Sequence, residues 1–406
     1  MADSGEARTG KSNSVAVVGA STAGLVAAYR LARAGVPVRV YEAKEELAPV
    51  SRTLIVTSAF ERLLDVDLSP CVVHKVRGFE LISRSTSVRL TLHEPDLVVD
   101  RVELMLLLAR SAAEAGAELI LGHRLEEMEE GGRGAVLRLA SDGRAVDAEC
   151  GWVVGADGVS SRVAELIRCA SLQKVALLQM QVELPKGYPP GLARVWFDGS
   201  STRFFYWLIP ESPRRGVVGL IQESMEEVRR ALESFISGEG LEIVGEQEEA
   251  WVPIPPVKPI PDGSAGKGRV LLVGDAAGHV KATTVGGVVT GIRGALAAAR
   301  SVLRGRAYAR ELFPLWSELM LHCLVRKVLD RFADEDYDRL LGAVANRPAA
   351  VLARYNRDEL TRMLWRLLLK EPRWAGFALR ALIQKGSTDA RGRVQPAGRF
   401  VQEEPS

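Results

Sequence analysis

The segment Ser14-Val-Ala-Val-Val-Gly-Ala-Ser-Thr-Ala-Gly-Leu-Val-Ala-Ala-Tyr-Arg-Leu-Ala-Arg-Ala-Gly-Val-Pro-Val-Arg-Val-Tyr-Glu42 decides the fold. It has the order strand, glycine-rich turn, helix, strand, acid. Val15 to Val18 form the continuous apolar run that is typical of a strand buried on both faces of a parallel sheet. Gly19 allows the sharp turn that follows, and Gly24 lets the new helix press against the strand. The segment therefore predicts a Rossmann-like α/β unit.

The same turn and the final acid have the chemistry of a dinucleotide site. Free N–H groups at the helix start, aided by the helix dipole, attract a pyrophosphate. Glu42 lies near the roughly 20-residue offset at which a carboxylate accepts hydrogen bonds from a ribose diol. Ser21 occupies the position of the second glycine of GxGxxG, but it is small and can donate to phosphate. An ordinary strand–helix–strand unit is the alternative, and the complete order favours an ADP-containing cofactor.

Composition excludes several classes of function. The chain has 406 residues and a net charge of +2, which offers no general case for nucleic-acid binding. The four cysteines, Cys71, Cys150, Cys169 and Cys323, form no CxxC pair, so neither a metal site nor a disulfide framework is predicted. Residues 1–13 are polar, and there is no long apolar run. We expect reduced thiols and a cytoplasmic protein.

Two arginines lie where they can reach a bound cofactor. Arg52, in the irregular segment 43–57, could face a flavin or a substrate, or it could be a solvated loop charge. Arg101 precedes a long amphipathic helix predicted over 102–115, where it could contact phosphate or form a structural ion pair. The alternation of residues 79–92 predicts antiparallel strands of a second lobe.

Two further strand–glycine segments follow. The first ends in Asp157-Gly158, which could also be a tight turn before a capped helix. The second ends in Gly274-Asp275 and leads to a helix start at Val285-Gly286-Gly287. A carboxylate followed by a bare helix terminus suits a ligand with hydroxyls and an electron-rich carbonyl end. Flavin adenine dinucleotide has both.

With three such segments in this order, the chain resembles the flavoprotein superfamily that includes aromatic hydroxylases and the geranylgeranyl reductases. The run Gly274-Asp-Ala-Ala-Gly-His-Val-Lys-Ala-Thr-Thr-Val-Gly-Gly287 is similar to the reductase form, with Ala282 in place of proline and Val285 in place of a glycine. A second reductase signature resembles Phe205-Tyr-Trp-Leu-Ile-Pro210 followed by Gly219-Leu-Ile221, although Ile209 and Ile221 depart from it. Archaeal members carry a cysteine after the first acid, but residues 43–60 contain none.

The resemblance implies FAD as the cofactor. Glu42 would bind the adenosine ribose, and Arg101 would approach the pyrophosphate together with the first turn. Leu125 would offer its backbone to adenine, and Asp275 would hold the ribitol side. Backbone amides at the last helix start would stabilise negative charge on reduced flavin. The predicted cofactor-binding residues are Gly19, Ser21, Thr22, Ala23, Gly24, Glu42, Ala43, Arg52, Arg101, Leu125, Asp157, Gly158, Asp275, Gly286, Gly287 and Val288.

The implied fold class is α/β. A Rossmann-like FAD-binding domain with a parallel sheet, like that of para-hydroxybenzoate hydroxylase, would be joined to an antiparallel β-sheet substrate domain and a C-terminal helical region. The predicted FAD-binding domain comprises 14–72, 97–170 and 265–304. The substrate domain comprises 73–96 and 171–264, the helical region 305–385, and the flexible or disordered ends 1–13 and 386–406.

By the same resemblance the protein would be a reductase that saturates double bonds of geranylgeranyl chains on archaeal ether-lipid precursors. Reduced flavin N5 would give hydride to one alkene carbon, and an acid would protonate the other. Tyr206, Trp207 and His279 are the catalytic candidates, with core packing as the alternative for each. A flavin-dependent monooxygenase or halogenase is the rival enzyme, and a flavin-binding lipid carrier or interaction protein is the non-enzymatic alternative.

The predicted partners are a hydrophobic prenyl-lipid substrate and an electron donor. The sequence leaves ferredoxin, a quinol and NAD(P)H open as that donor. The segment 358–385 is basic and amphipathic, which suggests peripheral contact with anionic lipid, but a solvated face is an equal alternative.

Overall fold

The computed structural model describes residues 14–47, 53–131, 134–256 and 269–346. The strands are β1 (Val15–Val18), β2 (Val38–Tyr41), β3 (Thr53–Val56), β4 (Val72–Ile82), β5 (Ser87–Asp100), β6 (Glu118–Ile120), β7 (Arg124–Gly131), β8 (Gly134–Ser141), β9 (Arg144–Cys150), β10 (Trp152–Gly155), β11 (Lys174–Glu183), β12 (Leu192–Trp196), β13 (Tyr206–Pro210), β14 (Arg215–Gln222), β15 (Glu242–Pro253) and β16 (Val270–Leu272).

The α-helices are α1 (Thr22–Arg33), α2 (Ala59–Leu64), α3 (Arg101–Glu114), α4 (Arg162–Leu166), α5 (Met225–Gly238), α6 (Val288–Arg304), α7 (Tyr308–Leu329) and α8 (Asp334–Asn346). Two short 3-10 helices, Ser69–Cys71 and Gly274–Ala277, connect them.

A five-stranded parallel sheet carries all three glycine motifs. Its order is β16-β10-β1-β2-β6. Val18, the last residue of β1, lies beside Gly155 of β10, and Gly155 lies beside Leu272 of β16. Parallel neighbours end at the same edge of a sheet, so the three turns that follow these strands meet there.

Helices α1, α3 and α6 bury one face of this parallel sheet. The apolar core between them includes Leu25 and Leu31 from α1, Leu104 and Leu108 from α3, and Ile292 from α6. Alanines and glycines make up much of α1 and α6, so the two helices can approach closely. The small residues of the predicted helix start therefore also serve the packing of the core.

The large second sheet has the order β15-β11-β14-β13-β12-β4-β5-β3 and is antiparallel except where β12 pairs with β4. Helix α5 covers one face through Val228, Leu232 and Ile236. The opposite face contacts Val280 and Val285, which belong to the loop between β16 and α6. We call this second face the inner face, because it meets the loop that follows the third glycine motif.

The predicted fold class is confirmed, with a Rossmann-like parallel sheet, an antiparallel-rich second sheet and C-terminal helices. A further three-stranded sheet, β7-β8-β9, packs beside β10. The predicted domain boundaries stay predictions, and the segments 1–13, 358–385 and 386–406 lie outside the described residues. None of the helices within the described ranges is long and apolar enough to cross a membrane.

Two glycine-to-alanine changes test the close approach of α1 to its strand. A Cβ on Gly24 would lie 2.2 Å from the carbonyl oxygen of Gly19, whereas a Cβ on Gly342 in α8 would meet nothing within 4 Å. We expect Gly24→Ala to lower the free energy of unfolding by about 1–3 kcal/mol. Gly342→Ala should raise it by about 0.5–1 kcal/mol, because alanine costs less entropy in a helix. Urea unfolding measures both, and equal effects would refute the close approach.

Candidate functional site

The first turn closes tightly around its glycines. Gly19 has φ +98°, and a Cβ on it would lie 2.6 Å from the carbonyl oxygen of Ala156. Ser21 is the N-cap of α1, and its Oγ accepts from the Gly24 N–H at 3.2 Å. The Ser21 O–H proton is not used in that bond and can still donate to phosphate. Thr22 and Ala23 follow as the first residues of α1.

Glu42 is fixed directly beside this turn. Its Oε2 accepts from the backbone N–H of Ala20 at 2.8 Å, and its Oε1 accepts from the backbone N–H of Lys44 at 3.1 Å. The backbone N–H of His123 donates to the Glu42 carbonyl at 2.8 Å. Ala43, between the acid and Lys44, is exposed. Backbone donors thus hold the carboxylate at the end of β2, as a ribose site requires.

Asp157 caps the helix that follows it. The Ser161 hydroxyl donates to Oδ1 at 2.5 Å, and the Val163 N–H donates to Oδ2 at 3.0 Å. Burial raises the pKa of Asp157 above its ordinary value, against the effect of these hydrogen bonds. Gly158 has φ +82°. These contacts match the tight-turn alternative, although the Cα of Asp157 also lies 2.8 Å from the position of a Cβ on Gly19.

The third motif brings an acid to an open helix start. Asp275 Oδ1 lies 3.1 Å from the position that a Cβ on Gly287 would take. Gly287 is the N-cap of α6 and provides no side-chain hydrogen bond, and there is no acidic side chain in the first turn, which begins at Val288. Gly286 is exposed. The first amides of α6 can therefore bind an electron-rich group.

The first and third turns converge on Gly274. This glycine has φ +64°, and a Cβ on it would lie 3.1 Å from the Cβ of Ala23. A Cβ on Gly291 of α6 would lie 3.3 Å from the Cα of Gly274. The starts of α1 and α6 thus come together at the carboxyl edge of the parallel sheet. The structure brings these predicted residues into one site.

Val285 departs from ordinary backbone geometry. It has φ +52° and is buried against the apolar cluster of the inner face. A β-branched residue in the left-handed region is strained, and such strain gathers at functional sites. The strained residue immediately precedes Gly286 and Gly287.

The remaining cofactor candidates lie on other elements of the fold. Arg101 is the first residue of α3, next to the N-cap Asp100, whose Oδ1 accepts from the Val102 N–H at 2.8 Å. Leu125 is buried in the core of the three-stranded sheet. Arg52 lies outside the described residues. Their contacts with a cofactor stay predictions.

Tyr206 and Trp207 lie on opposite faces of the large sheet, because adjacent residues of a strand point to opposite sides. Tyr206 stacks on Phe235 of α5 with ring centroids 4.2 Å apart, and its hydroxyl donates to Ser201 Oγ at 3.0 Å. Burial raises the pKa of Tyr206 to about 12. Trp207 lies on the inner face. The structure therefore separates Tyr206 from the site, and our prediction that it supplies a proton lacks a geometric basis.

His279 is buried behind the third turn rather than open to a substrate. It is 4% exposed, and burial lowers its pKa to about 4. Its ring lines a small cavity with Pro255, Trp316 and Leu319, and its Nδ1 would lie 2.1 Å from a Cβ on Gly294. A histidine held neutral at pH 7 is a poor general acid. Core packing, the alternative given for His279 above, fits these contacts better than a catalytic role.

Sequence reasoning missed a buried polar row on α7. Glu318, His322 and Arg326 are spaced four residues apart and are each less than 10% exposed. His322 Nδ1 lies 2.6 Å from the hydroxyl of Thr283, in the loop that leads to α6, and Glu318 pairs with Arg293 of α6 at 2.7 Å. The four-residue spacing was visible in the sequence. The partners on another helix and loop were not.

The geometry fits a dinucleotide flavin: two glycine turns without room for side chains, a fixed carboxylate and an uncapped helix start. A family model described as FAD binding domain matches residues 12–188. The chain is an FAD-dependent oxidoreductase that is similar to the geranylgeranyl reductases. The predicted cofactor and the resemblance to this family are thus confirmed.

Named relatives extend over most of the chain. Digeranylgeranylglycerophospholipid reductase 2 of Methanothermobacter thermautotrophicus is 26% identical over 381 residues, which cover 84% of this chain and 94% of that protein. Geranylgeranyl diphosphate reductase of Rhodobacter capsulatus is 28% identical over 337 residues, which cover 79% of this chain and 83% of that protein. A crystal structure of a geranylgeranyl bacteriochlorophyll reductase-like protein from Thermoplasma acidophilum shares the fold, with a TM-score of 0.74 and 18% sequence identity. The match covers 91% of this chain and 98% of that protein.

Glu42→Gln tests the ribose site. The neutral amide keeps the size of the side chain but cannot accept from Ala20 and Lys44 with both of its polar atoms. We expect the dissociation constant of FAD to rise about tenfold, the loss typical of a hydrogen bond to a charged group. Flavin fluorescence titration of the apoprotein measures it. Glu45→Gln, at an exposed position in the same loop, is the control, and equal FAD affinity in all three proteins would contradict the assignment.

The buried imidazole of His279 makes stability depend on pH. Its pKa is about 4 in the folded protein and 6.5 in the unfolded chain, so below pH 6.5 the unfolded chain binds a proton that the folded protein does not. Relative to His279→Gln, the wild type should therefore lose about 3 kcal/mol of stability as pH drops from 6.5 towards 4. Urea unfolding of both proteins at each pH measures this difference. His93→Gln, at an exposed position, should leave the slope unchanged.

Proposed function

We propose that the protein is a flavin-dependent reductase that saturates carbon–carbon double bonds of geranylgeranyl chains. The observation that carries the proposal is the apolar inner face of the large sheet, which meets the loop before α6 through Val280 and Val285. An apolar wall directly beside the open helix start suits a hydrocarbon substrate. The names of the two reductase relatives support the same substrate class.

We propose ether-lipid precursors of an archaeal membrane as the molecules that carry these chains. Support comes from the glycerophospholipid reductase relative, to which 84% of this chain aligns. The proposed electron donor is ferredoxin, a quinol or NAD(P)H, since the dinucleotide site is assigned to FAD. Contact with a membrane surface through 358–385 remains a proposal about residues outside the described ranges.

The residues of the chain have distinct tasks in this function. Glu42, Ser21 and the glycine turns bind the cofactor, which when bound and reduced supplies the hydride. The first amides of α6 stabilise negative charge on the electron-rich edge of the ligand. The apolar inner face binds the chain and excludes water from the reacting carbons. The Thr283–His322 hydrogen bond holds the loop before α6 in place.

Anaerobic turnover tests the proposal. The purified FAD-loaded protein is reduced with dithionite and mixed with a digeranylgeranyl ether lipid, and the lipid is analysed by mass spectrometry. We expect the gain of two hydrogens for each double bond, together with reoxidation of the flavin. Protein stripped of flavin is the control.

Two other outcomes would overturn the proposal. Incorporation of an oxygen or a halogen atom into a substrate, dependent on air, would identify a monooxygenase or a halogenase. Flavin that is never reoxidised by any prenyl substrate, although the lipid binds, would favour a carrier.

A further inference from the structure

Two buried polar atoms on the inner face lack a hydrogen-bond partner among the residues that the structure describes. They are Nε1 of Trp207 and Oε1 of Gln179, in side chains that are 8% and 5% exposed. Buried polar groups in native proteins are nearly always hydrogen-bonded, and each exception calls for a physical explanation such as a bound group.

The strand register brings the two side chains together. Trp207 of β13 and Gln179 of β11 both lie opposite Gly219, in the strands on either side of β14. The indole lies across this glycine, because a Cβ on Gly219 would come 2.2 Å from Cζ2 and 2.6 Å from Nε1. Directly opposite residues of an antiparallel pair have Cβ atoms about 5 Å apart. Gln179 and the nitrogen-bearing edge of the indole are therefore both neighbours of Gly219 on the inner face.

The surroundings of the pair are apolar on one side and polar on the other. Leu177, Ile209 and Ile221 belong to the same cluster of the inner face as Trp207. Two residues beyond Gln179 on the same face, the Gln181 amide donates to Glu211 Oε2 at 3.0 Å. A bound anionic group would meet the charge of Glu211. A neutral group attached to a hydrocarbon chain fits both sides.

We propose that Trp207 and Gln179 bind one hydroxyl group of the substrate. The indole N–H donates to the hydroxyl oxygen, and the hydroxyl proton is donated to Gln179 Oε1. An ether oxygen or an ionised phosphate oxygen only accepts, and would leave Oε1 without a partner. This inference rests on the proposed function and narrows its substrate class to prenyl compounds with a free hydroxyl group, in preference to diphosphates.

Binding to the oxidised FAD-loaded protein tests the pair without turnover. The ligands are geranylgeraniol, its methyl ether and geranylgeranyl diphosphate, and calorimetric titration gives their dissociation constants. We expect the alcohol to bind about tenfold more tightly than the ether and the diphosphate, as one satisfied buried hydrogen bond implies. Gln179→Met should weaken alcohol binding about tenfold and leave ether binding unchanged. Trp207→Phe should weaken the binding of both, because the ether oxygen can also accept from the indole N–H.

The controls separate the pair from general effects. Gln247→Met makes the same substitution at an exposed position of β15 and should alter no affinity. Unchanged melting temperatures show that the variants fold. If Trp207→Phe does not fold, Gln179→Met alone decides the test. Equal affinities of wild type for alcohol and ether would overturn the proposal. So would a crystal structure with bound alcohol in which only a water molecule contacts the two atoms.

The binding experiment and the anaerobic assay can fail separately. If the alcohol binds through this pair but no double bond is saturated in the anaerobic assay, the reductase assignment fails and the hydroxyl site stands. If double bonds are saturated while alcohol and ether bind equally, the reductase assignment stands and the hydroxyl site fails.

Discussion

The parallel pairing of β1, β10 and β16 is the constraint on which the rest of the structure depends. Each strand is short and buried, and each ends in a turn that contains a glycine with positive φ: Gly19, Gly158 or Gly274. Parallel neighbours end at one edge, so residues more than 200 positions apart in the sequence become neighbours. A cofactor site built in this way needs no long side chains. It needs backbone donors, one or two carboxylates and an absence of Cβ atoms where helices and turns meet.

The sequence was sufficient for those features that depend on local backbone chemistry. The apolar run Val15–Val18, the glycine turn and the acid Glu42 each have a physical requirement that few residues meet, and the structure has the corresponding strand and hydrogen bonds. The helix predicted over 102–115 begins one residue earlier, because Asp100 caps it. The roles of individual residues in binding FAD stay predictions.

Two choices could not be made from the sequence. Alternation shows that Tyr206 and Trp207 lie on opposite faces of a strand, but it does not show which face receives the helix α5 and which meets the loop before α6. That choice depends on the pairing order of eight strands, including the parallel pair β12–β4. The buried histidines posed the same problem. His279 and His322 differ in role because of Gly294 and Thr283, whose positions beside them follow only from the packing of α6 and α7.

The polar groups of the inner face and of α7 lower the stability of the core, and some of them are linked to the elements that form the cofactor site. Most buried side chains here are aliphatic, and replacing Glu318, His322 and Gln179 by leucines would remove polar groups whose burial is expensive. Two of these residues are instead tied to the elements that form the cofactor site, through Thr283 and Arg293. The strained backbone of Val285 lies at the junction of the same elements. The strained backbone and these buried polar contacts therefore meet at the start of α6, beside the apolar inner face.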